Sequence, residues 1–266
     1  MSSSPEWVTA DADTERPSIA RFYDYLLGGT HHLEVDRELG RKAIRAAPGL
    51  ILLMRENRKF LRRAVRCALD AGIDQFLDIG SGIPARGSIH ETARKAGSRA
   101  RVAYVDIDPV AVAQGKEILA DDPDGVSVLG DVFEPAAILE NPEVRALIDL
   151  DRPVVLLILN VIHFFPDSKV LPVLETYRSR LVSGSMLGLS VAMDGTTGAE
   201  AIDELYRQEY EGFTLRSREQ IQALFGDFEL LEPGVVYPPQ WRPEDPGRTV
   251  ANPERYSSLV GVARKK

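Results

Sequence analysis

The sequence predicts an α/β fold: a seven-stranded, mostly parallel sheet with helices on both faces, an antiparallel edge strand, and a helical segment ahead of it. Three observations carry this expectation. From Gln75 onward, short apolar runs alternate with stretches of helical periodicity, the pattern of repeated β-α units. The run Val154 to Leu159 is apolar without alternation, as a strand covered on both faces requires. The first apolar run ends in a glycine-rich turn at 80–82, where a strand gives way to a helix.

Taken in order, residues 1–17 are polar and acidic and hold too few apolar side chains to fold alone, so a mobile tail is expected. From Ser18, a good N-cap, Ile19, Phe22, Tyr23, Leu26 and Leu27 recur at helical spacing and Gly28-Gly29 ends the run. A second helix is expected over 34–47 and a third, the longest, over 50–71, with Leu53, Asn57, Phe60, Leu61, Ala64 and Ala68 on one side. The opposite side carries Arg55, Lys59, Arg62 and Arg66 and reads as a solvated face. Strands are expected over 75–79, 101–106, 126–129, 154–160 and 185–191, with helices over 88–95, 109–120, 135–147 and 169–181 between them. A two-part helical stretch, 199–211 and 217–225, then leads to a strand over 227–231. The Pro-rich loop 233–253 has no room for a long helix before the final strand, 256–262, so the last two strands are expected to be antiparallel neighbours. The domain reading is a tail (1–17), an N-terminal helical lid (18–72) and a sheet domain (73–266).

Composition narrows the function. With 44% hydrophobic and 27% charged residues, 266 residues build a large core without disulfides. Forty acidic against 32 basic residues, a net charge of -8, argue against nucleic acid or an anionic membrane as the main partner. The single cysteine, Cys67, permits neither an intrachain bridge nor a thiolate cluster, which fits a reducing, cytoplasmic setting. The N-terminus has no basic and apolar leader, and no apolar run approaches the ~20 residues of a membrane helix.

The chemistry gathers at the carboxyl ends of the strands. Gly80, Gly82 and Ala85 satisfy a dinucleotide-type glycine pattern, and Asp106 ends the next strand, so a nicotinamide-dependent oxidoreductase is a legitimate alternative. Asp78, two residues before Gly80, favours another nucleotide. A carboxylate there repels a pyrophosphate but attracts the ammonium and sulfonium of S-adenosylmethionine. Asp106 is placed to take both ribose hydroxyls, with Ile107 beside it, and Asp131, followed by Val132, to meet the adenine amino group. Asp108, before Pro109, reads as a helix cap. His163 follows the central apolar strand in the turn Asn160 to Asp167 and is the candidate general base.

These motifs resemble those of class I S-adenosylmethionine-dependent methyltransferases, and with them the Rossmann-like fold. More narrowly, the segments Ala20 to Gly29, Gln75 to Gly82, Tyr104 to Pro109 and His163 to Asp167 are similar to a methyltransferase family abundant in actinomycetes, over nearly the whole chain from Pro17 to Lys265. The resemblance implies S-adenosylmethionine as cofactor and leaves the acceptor open. Apart from it, a small-molecule acceptor is expected, no metal is expected, and a homodimer is conceivable. N-terminal helices of such enzymes cover the cofactor, so Tyr23, Asp24 and Gly29 are expected as a lid that touches it. The family usually continues Lys-Asp-Asn after the Gly pair; here the chain reads Thr30-His31-His32. Asn160 stands where small apolar residues are usual and is expected at the methionine part of the cofactor. The turn is also similar to that of plant-type O-methyltransferases, whose histidine at the position of His163 is a general base. Tyr206 and Tyr210, a helical turn apart, are equally suited to an acceptor pocket and to the core. A cofactor-binding regulatory protein without transfer activity is the second alternative.

Overall fold

The structure, a computed structural model, describes residues 5, 7–84, 87–196, 199–210, 212–245, 247 and 250–266. Seven strands form one sheet: β1 (Gln75–Ile79), β2 (Arg101–Asp106), β3 (Gly125–Leu129), β4 (Val155–Leu159), β5 (Met186–Ala192), β6 (Glu229–Leu230) and β7 (Ser258–Arg264). Their order is β3-β2-β1-β4-β5-β7-β6. The first five run parallel, and β7 is antiparallel to both β5 and β6. The expected antiparallel pair is present at one edge, with the last strand lying between β5 and the two-residue β6. Its apolar register explains the position, since Leu259, Val260, Val262 and Ala263 are all buried and suit a covered strand. Strand order reverses between β1 and β4, which opens a crevice at their carboxyl ends.

The N-terminal segment holds α1 (Ile19–Leu27), α2 (Glu34–Ala46) and α3 (Leu50–Asp70). Between strands lie α4 (Ile89–Lys95), α5 (Pro109–Ile118), α6 (Pro135–Leu139), α7 (Pro142–Leu147) and α8 (Asp167–Arg180). The chain then adds α9 (Ala199–Glu209) and α10 (Arg218–Ala223). One helix was expected over 135–147. Pro142 divides it, because a proline disfavours helical backbone at Asn141 and has no N–H to donate. The Asn141 side chain instead caps α7, accepting from Glu143 and Val144 N–H. Glu211, the expected end of α9, lies outside the described residues.

Alternate residues of the sheet feed two cores. Phe76, Val102, Val155 and Leu157 pack on Phe60, Leu61, Ala64 and Ala68 of α3. On the other face, Leu77, Val105, Leu156 and Ile158 pack on Val170, Val173, Leu174 and Tyr177 of α8. A third cluster joins Phe22 and Leu26 of α1, Leu39 of α2 and Leu53 of α3 to Ile202, Tyr206 and Phe213. The N-terminal helices therefore share a core with the region around α9.

Residues 7–17, within the expected mobile tail, lie along this body. Trp7 packs with Ala20, Ile83, Val110 and Ala111, and its ring stands 5.5 Å from that of His31. Arg21 donates to the carbonyls of Asp13 (2.8 Å) and Arg16 (3.0 Å). One aromatic anchor and one buried guanidinium hold a stretch that composition alone marks as loose. Residues 1–4 and 6 lie outside the described residues.

Candidate functional site

The turn after β1 forms the floor of the crevice. Gly80 has φ +69°, and a Cβ there would overlap Val161 Cγ2, so both backbone and space demand glycine. Gly82 has φ +64° with nothing within 4 Å of a Cβ position, so it faces open space. Gly80 and Ser81 N–H donate to the Val105 carbonyl at 2.8 and 3.1 Å, which ties the turn to β2. Ala85, the last position of the glycine pattern, lies outside the described residues.

Two buried carboxylates flank this turn. Asp106 accepts from Gly82 N–H at 2.7 Å and Asp108 N–H at 2.9 Å. Burial still pushes its carboxyl up to about 6 against these hydrogen bonds. Asp78, 6% exposed, receives no hydrogen bond from any described residue. Burial pushes it up to about 7; Arg58 opposes the shift and Asp106 adds to it. Two adjacent acids short of positive charge make the crevice a receptor for a cation.

Asp108 is a helix cap, accepting from Val110 N–H at 2.8 Å. It is also half of a buried latch that the sequence reading missed. Arg21, 1% exposed, reaches Asp108 at 3.2 Å and Asp36 at 2.9 Å, and the Ser18 hydroxyl donates to Asp108. The latch joins α1 and α2 to the start of α5, two residues from Asp106. An arginine three positions after an N-cap on an amphipathic helix carries no mark of such a partner.

The crevice is a cavity of about 410 Å³ whose wall includes Asp78, Gly80, Gly82, Asp106, Asp131 and Val132. Ile107 also lines it, its side chain left 66% exposed. Asp131 accepts from Phe133 N–H at 2.9 Å, so it caps its turn while facing the cavity. Asn57, Arg58 and Tyr210 complete the wall, and each has a buried polar atom with no hydrogen-bond partner: Oδ1, Nε and Oη respectively.

A second cavity, about 360 Å³, adjoins the first and is lined mainly by apolar side chains, among them Phe22, Met54, Phe164, Tyr206 and Phe213. Ile19, Tyr23 and Asn160 line both. Asn160 follows β4 with φ +58°, a conformation that asparagine tolerates better than most residues, and its side-chain oxygen accepts from the Ser190 hydroxyl at 2.9 Å. Tyr23 Oη donates to the Met54 carbonyl (3.3 Å) and accepts from the Asn57 amide (3.4 Å). Asn160 and Tyr23 thus stand at the junction of a charged and an apolar chamber.

His163 lines the apolar chamber and is 6% exposed. Its Nδ1 accepts from Ala192 N–H at 3.4 Å, and the Phe164 and Phe213 rings lie 4.5 and 5.8 Å away. Burial, with Arg216 adding, pulls its pKa down to about 3. So weak a proton acceptor does not favour the general-base expectation, because burial and the neighbouring Arg216 both disfavour the positive form.

Two expected lid residues line neither cavity. Asp24 accepts from His31 N–H at 2.8 Å and its carboxylate packs where a Cβ on Gly29 would lie. Both hold the bend after α1, and the carboxyl, pushed up chiefly by burial, is turned to backbone. His31 packs on Trp7 and His32 on Tyr25, so these also stay off the cavity walls. Of the two tyrosines left between pocket and core, Tyr206 faces the apolar chamber and Tyr210 the charged one. Among the described residues, no helix is long and apolar enough to cross a membrane.

Comparison with known proteins agrees with this architecture. A family model described as S-adenosyl methyltransferase matches residues 5–266. A provisionally assigned methyltransferase from Thermobifida fusca is 39% identical, covering 98% of this chain and 100% of its own, with a TM-score of 0.93. A DUF574 family protein from Streptomyces avermitilis is 35% identical over 96% and 99% of the two chains, with a TM-score of 0.89. The magnesium protoporphyrin IX methyltransferase of Synechocystis, solved with bound S-adenosylhomocysteine, shares the fold at 16% identity (92% and 93% coverage, TM-score 0.55). No curated protein matches the chain.

Proposed function

The chain belongs to the S-adenosyl methyltransferase family and its cofactor is S-adenosylmethionine; on that premise we propose that it methylates an oxygen or nitrogen of a small, largely apolar molecule. The observation that carries the proposal is the pair of chambers, one acidic and one apolar, that meet at Tyr23 and Asn160. The family sets aside the nicotinamide alternative raised by Gly80 and Gly82.

The charged chamber suits the cofactor. Asp78 and Asp106 form no ion pair with a described cation, Gly82 leaves room for close approach, and polar atoms on its wall lack partners. In this reading Asp106 takes the ribose hydroxyls, having lone pairs to spare beyond its two backbone hydrogen bonds. Ile107 and Val132 cover the adenine faces, and Asp131 meets the exocyclic amine. Asp78 holds positive charge at the opposite end. When bound, the cofactor supplies a methyl group on a sulfonium, an electrophile that needs no further activation.

The protein's contribution is then alignment and exclusion of water. The acceptor lies among Phe22, Phe164, Tyr206 and Phe213, with its nucleophilic atom at the junction held by Tyr23 and Asn160. Such positioning supplies up to ~7–11 kcal/mol of barrier reduction. His163 stays neutral, its Nδ1 occupied by backbone, and so carries its proton on Nε2 as a donor that orients the acceptor. This favours acceptors with their own available electron pair, an amine or an already ionised phenol, over those that need a strong base.

The test is to incubate the protein with S-adenosylmethionine and fractionated small-molecule extracts and to follow S-adenosylhomocysteine. Turnover concentrated in apolar, low-mass fractions, with a methylated product identified by mass, supports the proposal. Turnover only with polymers or peptides would contradict it.

A further inference from the structure

We propose that Asn57 and Arg58, successive residues of α3, grip the amino-acid end of the cofactor: the Arg58 guanidinium takes the α-carboxylate, and Asn57 Oδ1 shares the α-ammonium with Asp78. The inference deepens the site assignment above and rests on it.

Three unmet requirements around one cavity point to this. Asn57, 4% exposed, spends its amide N–H on Tyr23 Oη at 3.4 Å, while Oδ1 is buried without a donor. Arg58 Nε is buried without an acceptor, and no described carboxylate forms an ion pair with this guanidinium. The side chain instead lies over the Tyr23 ring, its Cζ 5.4 Å from the centroid. Asp78, which lines the same cavity, is a buried carboxylate without a donor.

A buried polar atom left unpaired costs the full desolvation of the group, so a missing acceptor beside a missing donor and a bare carboxylate describes the shape of an absent ligand. The complement is a zwitterion: an anionic oxygen pair for Arg58, a cationic N–H group for Asn57 and Asp78. Of the cofactor's parts, only its α-amino acid end carries both. The adenosine part has no formal charge to offer.

The helix is suited to the task. Phe60, Leu61, Ala64 and Ala68, immediately beyond the pair, lock α3 against β1, β2 and β4. Asn57 and Arg58 therefore project from a rigid support, and Tyr23 fixes both through one hydrogen bond and one ring face. The consequence is selectivity for the intact amino-acid tail, with nucleosides that lack it bound less well.

The experiment is isothermal titration of wild type, Arg58→Gln, Arg58→Lys and Asn57→Leu with S-adenosylhomocysteine and with 5′-methylthioadenosine, which lacks the amino-acid group. Wild type should prefer S-adenosylhomocysteine by about tenfold or more, given the strength of hydrogen bonds to charged groups. Arg58→Gln and Asn57→Leu should each weaken S-adenosylhomocysteine binding by about ten- to a hundredfold. Methylthioadenosine affinity should stay within about twofold, which also reports that the variants are folded. Arg58→Lys, retaining charge, should fall between wild type and Arg58→Gln. Equal losses for both ligands would mean that the pair only supports the fold, and unchanged S-adenosylhomocysteine affinity would remove it from the site; either overturns the proposal. Failure of wild type to bind either ligand would overturn the site assignment itself, and the proposal with it.

Discussion

Replacing Asp78 by Asn should make the empty protein more stable and the cofactor site worse. In the folded chain the Asp78 carboxyl rises from 3.8 to about 7, chiefly because it is buried. At about 1.4 kcal/mol per unit, keeping that group ionised above pH 7 costs the folded state about 4 kcal/mol. The sign follows from proton binding. Between pH 4 and 7 the native state holds a proton that the unfolded state has released, so this group lowers stability as pH rises through that window. An amide removes the charge but brings a burial cost of about 1–3 kcal/mol of its own. The expected net gain at pH 7.5 is about 1–3 kcal/mol, or roughly 2–10 °C in Tm for a chain of this size. At pH 4.5, where Asp78 is already neutral in the folded state, the ionisation cost falls to about 1 kcal/mol, so the gain should vanish or reverse, and comparison of the two proteins at each pH cancels other titrating groups. Affinity for S-adenosylhomocysteine should fall by about thirtyfold or more at pH 7.5, as expected when a buried charge pair loses one partner. Urea unfolding at both pH values and calorimetric titration at pH 7.5 read the two effects. A less stable Asn variant with undiminished affinity would refute the reasoning that Asp78 is a strained acid kept for the ligand.

Gly80→Ala and Gly82→Ala should separate strain from access. At Gly80 a Cβ meets Val161 and φ is +69°, so about 2–4 kcal/mol of stability should be lost in urea unfolding. At Gly82 only the backbone cost of about 1 kcal/mol applies, with a larger loss of S-adenosylhomocysteine affinity because the new methyl group enters the cavity. Arg21→Leu leaves Asp36 and Asp108 buried without their cation and should lower the unfolding free energy by about 3–5 kcal/mol. For His163, a pKa near 3 leaves the imidazole neutral across the working range. Once an acceptor is in hand, the kcat profile of wild type and His163→Gln should show the same shape from pH 5 to 8; an inflection near 6.5 present only in wild type would restore the general base.

The parts of this molecule that were legible in advance are those written in local punctuation. Gly80 and Gly82 mark a strand-to-helix turn, and Asp78 and Asp106 are located by counting from strand ends, so the floor of the site could be read directly. Helix and strand spans needed only periodicity. Spatial order did not follow, because nothing in the spacing says that β7 enters between β5 and β6. Long-range charge was hidden for a similar reason. Arg21 and Arg58 sit on amphipathic helices, where an arginine ordinarily means solvent, but the carboxylates of Arg21 and the ring under Arg58 come from chain 15 or more residues away. Asn57 was the available signal, a polar residue on an otherwise apolar face. One short bend takes up both Asp24 and Gly29, and a sequence places His163 at a strand end without showing how deeply it is covered.

The most direct test of the two-chamber account is a crystal structure of the protein with S-adenosylhomocysteine. The account predicts the ribose on Asp106, the amino-acid end between Asp78 and the Asn57–Arg58 pair, and the sulfur at Tyr23 and Asn160, open to the apolar chamber. A ligand bound elsewhere, or one whose sulfur is walled off from that chamber, would contradict it.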